Sequence, residues 1–119
     1  MPHFIIEQGN ALNSADDKEK ALQLAAECGS SVGFINPVDI KVRLIPVVDF
    51  LALDGRRSFI HITVRMLEGR TDEQKVKLSE SLRDTFDEHY SEVESISIDI
   101  IDMNAGVYRK RLAGTVRDT

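Results

Sequence analysis

The apolar residues of this chain change period in a fixed order, and the chain runs through that order twice. Pro2-His3-Phe4-Ile5-Ile6-Glu7 reads as a short strand beginning at the chain's first residues, closed by Gly9-Asn10. Ala21, Leu22, Ala25 and Cys28 then recur at helical spacing. Ser14 stands as their N-cap, Asp16, Asp17 and Glu19 lie near the positive end, and Gly29 suits the C-terminal cap. A loop marked by Gly33 and Asn36-Pro37 follows. Residues 40–51 open with Ile40, Val42 and Leu44 on one face and Lys41 and Arg43 on the other, a half-buried strand that Pro46 makes irregular or an edge. Asp54-Gly55 is the turn dipeptide of a tight hairpin.

The second pass begins with Phe59 to Leu67, a strand with Ile60, Ile62, Val64 and Met66 on one face. Thr71 and Gln74 form a capping box ahead of the helical stripe Leu78, Leu82 and Phe86. Ile96, Ile98 and Ile100 alternate with Ser97 and Asp99 in another strand, and Asn104-Ala105-Gly106 turns into a short Val107-Tyr108-Arg109 segment. Each strand–helix–strand unit makes its two strands parallel, with a right-handed crossover. The expected fold is α+β: two fused β-α-β units (about 1–52 and 57–108) in one domain over 1–119, forming a four-stranded mixed sheet with both helices on one face. Ile5, Phe59 and Ile101 on the other face are too apolar to leave wet, and oligomer burial is expected there, with a plain exposed face as the alternative.

Composition removes several classes of function. The 119 residues carry 15 cations and 20 acids, a net charge of −5, which disfavours nucleic acid and anionic membrane as partners. One cysteine, Cys28, forms no internal disulfide and points to a reducing compartment; no apolar run approaches a membrane span and no signal peptide is evident, so a cytoplasmic protein is expected. The charge is uneven. Residues 39–70 hold six cations (Lys41, Arg43, Arg56, Arg57, Arg65 and Arg70) against four acids, and residues 109–119 hold Arg109, Lys110, Arg111 and Arg117 against Asp118. Convergence of some of these cations would bind a small anionic ligand; the alternative is ordinary surface charge.

Pro2 carries the most chemical information. Its small side chain permits removal of the initiator Met1, and a terminal proline is a secondary amine that can accept a proton. An α-amino group titrates near ~8. Apolar burial and neighbouring cations both lower that value, making the amine a general base near neutrality. His3, His61 and His89 lack metal spacing and read as packing or surface residues. Asp16-Asp17 and Asp87-Glu88 read as solvated helix faces, Cys28 as core, and Arg109-Lys110-Arg111 as surface or a contact with a neighbouring subunit. No motif for a metal, flavin or nucleotide cofactor is present in the sequence.

Leu67-Glu68-Gly69-Arg70-Thr71-Asp72-Glu73-Gln74-Lys75 resembles the strand-to-helix signature of the small 4-oxalocrotonate tautomerases of the tautomerase superfamily. The start Pro2-His3-Phe4-Ile5-Ile6-Glu7 is similar to that of the 5-carboxymethyl-2-hydroxymuconate isomerase family, and length, element order and the Asp54-Gly55 turn fit that family along nearly the whole chain. The resemblance implies the macrophage migration inhibitory factor-like fold and a homotrimer with catalytic sites near subunit boundaries. It puts the catalytic proline at Pro2 and a substrate-carboxylate arginine at Arg70. A second family arginine falls on Lys41, which keeps the charge but loses the bidentate fork. Arg43, two residues on along the same strand face, is the candidate to compensate, and the aromatic residue that walls the site aligns with Tyr108. Ile60 occupies the place of a second proline, so one site per chain is expected. The implied activity is an isomerase of aromatic-compound catabolism: a proton moves within an unsaturated 2-hydroxy or 2-oxo di- or tricarboxylic acid, without cofactor or metal. The alternatives are a tautomerase of other specificity, a hydratase-like relative, or a non-catalytic trimeric binding protein of the same fold.

Overall fold

The computed structural model describes residues 1–114, so Arg117 and Asp118 of the cationic tail lie outside the described residues. The elements are β1 (His3–Gly9), α1 (Ala15–Ser31), a 3-10 turn (Pro37–Asp39), β2 (Lys41–Pro46), β3 (Phe59–Leu67), α2 (Asp72–His89) and β4 (Ser95–Met103). They form one sheet of order β2-β1-β3-β4. β1 runs parallel to β2 and β3 parallel to β4, while the inner pair β1 and β3 is antiparallel. The mixed sheet thus joins two βαβ units through their first strands.

Alternation in the strands decides which face is dry. Phe4 and Ile6 of β1 and Ile60, Ile62, Val64 and Met66 of β3 are fully buried. They pack under Ala21, Leu24, Ala25 and Cys28 of α1 and Leu78, Leu82 and Phe86 of α2. Burying each large apolar side chain contributes about 2 kcal/mol, so this one layer supplies most of the drive to fold. Both helices begin where the sequence marks them. Ser14 Oγ accepts from Asp17 N–H at 3.0 Å, and the Thr71–Gln74 box closes both ways, at 3.1 and 2.9 Å. Leu22, expected on the stripe, is only half-buried, and Leu24 takes its place in the core.

Three further expectations are corrected. Gly29 does not cap α1; the helix runs on to Ser31. A Cβ on Gly29 would stand 2.8 Å from Phe4 Cζ and 3.0 Å from Ile40 Cδ1, so glycine there lets the helix approach the sheet. The strand expected over 40–51 ends at Pro46. The Asp54-Gly55 turn exists, with Gly55 N–H on Ala52 C=O at 3.0 Å and φ +86°, but it does not make a hairpin, because β1 lies between β2 and β3. The connection instead crosses the end of β1, where Phe50 meets Phe59 edge to face (centroids 4.9 Å apart, planes at 78°) over Gly9. A side chain on Gly9 would strike Phe50 and come within 2.7 Å of Phe59. The helix-free face carries its apolar residues among polar ones. Ile5, Phe59 and Ile101 are each half-buried, Phe59 is covered by the chain's own Phe50, and Arg43, Thr63, Asp99 and Arg65 share the same rows.

Candidate active site

One end of the sheet gathers chemistry from both units. Pro2 precedes β1, its side chain is fully buried, and its C=O accepts from Lys41 N–H at 3.1 Å, which fixes Lys41 on the neighbouring strand beside the chain start. Arg70 arrives from the second unit. Gly69, at φ +121°, turns the chain between β3 and the Thr71 cap through a conformation that side-chain-bearing residues rarely adopt. Arg70 then donates to Leu67 C=O at 3.2 Å and to Phe34 C=O at 3.3 Å. Two of its five N–H donors are thus spent on holding it, and three remain for a ligand.

The field at the chain start is cationic. Burial lowers the α-amino pKa of Met1 below its ordinary value of 8.0; Asp39 opposes this, while Arg70, Lys110 and Lys41 push it further down. The sequence places two of these cations, Lys41 and Arg70, in the candidate site. It assigns Lys110 to the surface or a subunit contact, whereas its ammonium donates to the sulfur of Met1. Of the other cations of the middle segment, Arg43 and Arg65 stay at this end of the sheet around His3, while Arg56 and Arg57 lie at the far end with Glu94. Arg56 pairs with Asp54 and donates to Glu94 C=O at 3.2 Å, at the opposite end of β3.

Arg43 and Tyr108 belong to an adjoining cluster built on His3. Arg43 lies 3.3 Å from His3 Nδ1, and Tyr108 Oη lies 3.0 Å from His3 Nε2, with the two rings edge to face. A guanidinium has only donors, so Nδ1 must accept from it, and Nε2–H donates to Tyr108; the hydrogen-bond network assigns this neutral tautomer. Arg43 is therefore engaged with His3 rather than free beside Lys41. His3, read from the sequence as a packing or surface residue, is the joint between strand and C-terminal segment.

Burial first, then Arg43 and Lys41, lower the His3 pKa below 6.5. An unfolded imidazole takes up its proton at a higher pH than this folded one. The unfolded state therefore binds more protons as pH falls through 6.5 toward the folded value, and stability drops in that window. Urea midpoints taken between about pH 7.5 and about pH 5.5 should fall for the wild type, and the slope should flatten in His3→Gln. An equal slope in both proteins would show that His3 is titrating as in water.

Among the described residues, no group of three or more His, Cys, Asp or Glu side chains is placed to share a metal ion, and no helix is long and apolar enough to cross a membrane. Cys28 is buried between the helices, its thiol 3.4 Å from Thr85 Oγ1.

Two β-α-β units sharing one four-stranded mixed sheet, with both helices on one face, define a tautomerase-type fold. Solved structures agree on the fold. A 5-carboxymethyl-2-hydroxymuconate isomerase from Deinococcus radiodurans R1 is similar at TM-score 0.75 and 18% identity, over 92% of this chain and 88% of that one. A macrophage migration inhibitory factor-like protein from Entamoeba histolytica matches at TM-score 0.74 and 14% identity, over 92% and 95%. A fused wild-type 4-OT, solved as an asymmetric trimer, matches at 0.75 and 15%, over 96% and 94%. No curated protein matches the chain by sequence. Residues 2–110 match the family model of 5-carboxymethyl-2-hydroxymuconate isomerase, and the chain belongs to that family of tautomerase-type isomerases.

Proposed function

We propose that the protein isomerises an unsaturated 2-hydroxy di- or tricarboxylic acid of the 5-carboxymethyl-2-hydroxymuconate type, with the nitrogen of Pro2 as general base once Met1 has been removed. What supports this reading, beside the family match, is that Arg70 and Lys41, from different βαβ units, both push the amine at the chain start below its ordinary pKa, next to a buried Pro2. The same burial and the same cations would act one residue further in, on the imino nitrogen of Pro2, and favour its neutral, proton-accepting form.

The chemistry balances without a co-substrate. Neutral Pro2 nitrogen takes the 2-hydroxyl proton; the O–H electrons form the 2-oxo C=O, and the dienol π electrons move to a distal carbon. The prolinium then returns that proton to the distal carbon. Negative charge grows on the 2-oxo and carboxylate oxygens in between, and Arg70 and Lys41 stabilise it at fixed positions. Lys41 acts as a point charge where a fork would grip both oxygens. The working protein is a homotrimer on this reading, a state supported by the trimeric fused 4-OT of the same fold. The Ile5 and Ile101 rows of the helix-free face are the surface that such an assembly would cover, and aromatic-compound catabolism in the cytoplasm is the setting the substrate implies.

The test is ketonisation followed by ultraviolet absorbance on 2-hydroxymuconate and its carboxymethyl homologue, with intact mass recorded on the same preparation. Turnover by material lacking Met1, and none by material retaining it, is expected. Equal turnover by both forms would remove Pro2 as the base. No turnover by the processed form would favour a non-catalytic binding role.

A further inference from the structure

We propose that Lys110 is a third carboxylate-binding cation of this site, carried there by a C-terminal strap, and that it selects tricarboxylates over dicarboxylates; the proposal rests on the Pro2 site described above. The strap is built at each step. Glu68, in the loop that leads to Arg70, accepts from Ala105 N–H at 2.7 Å. Asn104 C=O accepts from the N–H groups of Val107 and Tyr108, both at 3.1 Å, which closes the turn after β4. Tyr108 is then pinned to His3 through Oη at 3.0 Å. Two residues later Lys110 reaches the chain start and donates to Met1 sulfur.

The partner of that ammonium is chemically telling. Thioether sulfur is a weak acceptor, and an ammonium with three donors is far better matched by carboxylate oxygens. Lys75, by comparison, meets Asp102 at 2.9 Å. Lys110 instead holds its charge beside a residue whose removal the mechanism requires. Three cations from three separate elements thus act on the chain start: Lys41 from β2, Arg70 from the β3–α2 loop, and Lys110 from the strap, whose ammonium lies against the Met1 side chain. Two of them match a dicarboxylate, and the third has a matching group only in an acid with a further carboxylate. Its exposure makes the expected preference modest, about fivefold, as for a solvent-accessible ion pair.

The experiment is isothermal titration calorimetry on processed protein, its mass verified, with propane-1,2,3-tricarboxylate and glutarate as probes. The wild type should bind the tricarboxylate more tightly, Lys110→Ala should lose that preference by about fivefold, and Lys110→Arg should keep it. No preference in the wild type, or the same preference in Lys110→Ala, overturns the assignment. Turnover of 2-hydroxymuconate by the wild type separates the two readings. Turnover with a lysine-independent binding ratio removes Lys110 and leaves the isomerase. A lysine-dependent ratio without turnover of either unsaturated acid removes the isomerase and leaves the anion site.

Discussion

Processed Pro2→Ala protein is expected to keep its fold and to lose about a hundredfold or more of kcat, the scale that a positioned general base supplies. Alanine still offers an amine at the chain start, so a total loss of base is not the origin of the effect. Three things change together. The secondary amine becomes a primary one of different basicity. The ring that fixes the torsion at the nitrogen disappears. The buried volume that the Pro2 ring fills is left partly empty, so the nitrogen is held less firmly and is better hydrated. Retention of the far-ultraviolet circular dichroism spectrum with kcat reduced under saturating substrate is the result that assigns the loss to the nitrogen. Unchanged turnover would mean that the proton is carried by another group.

Arg70→Ala should raise KM and lower kcat together, with kcat/KM down by about one to two orders of magnitude, because a charge-assisted contact is lost in both the bound substrate and the transition state. Arg70 also ties the loop before α2 to Phe34 C=O in the first unit, at 3.3 Å, so part of any effect could come from a loosened loop. Arg70→Lys separates the two contributions. It keeps the positive charge, yet a single ammonium reproduces neither the fork nor the paired carbonyl contacts. A KM restored toward wild type in the lysine variant identifies charge as the dominant contribution. A lysine variant as impaired as the alanine variant identifies geometry. If neither substitution moves either parameter, Arg70 is a structural tie and carboxylate recognition lies elsewhere.

The elements were legible in the residues because their signals are local. Alternation over Phe59 to Leu67 and the reciprocal Thr71–Gln74 bonds need nothing beyond a few neighbours to declare a strand and a helix start. The errors arose where long-range packing overrode a local sign. Gly29 has the sequence context of a cap, and only the approach of Phe4 and Ile40 shows why a side chain is excluded there. Asp54-Gly55 promises adjacent strands, but β1 lies between β2 and β3 and pairs with both, so the two do not meet. The site divides the same way. Pro2, Lys41 and Arg70 are marked by chemistry and motif. His3 with Tyr108, and Met1 with Lys110, meet across 105 and 109 positions of chain, a proximity that no periodicity encodes. One signal for His3 was present: it shares the strand face on which Lys41 and Arg43 are read, once β1 and β2 are taken as parallel neighbours.

β1 pairs with β2 on one side and with β3 on the other, so the chain's first residues lead into the middle of the sheet rather than trailing from its edge. Most proteins tolerate an affinity tag or fusion partner on the leading end because that end is loose. Here the peptide bond of any such appendage would occupy the one nitrogen that the proposed reaction needs free. A label or fusion left on the leading end is therefore expected to abolish the proposed turnover.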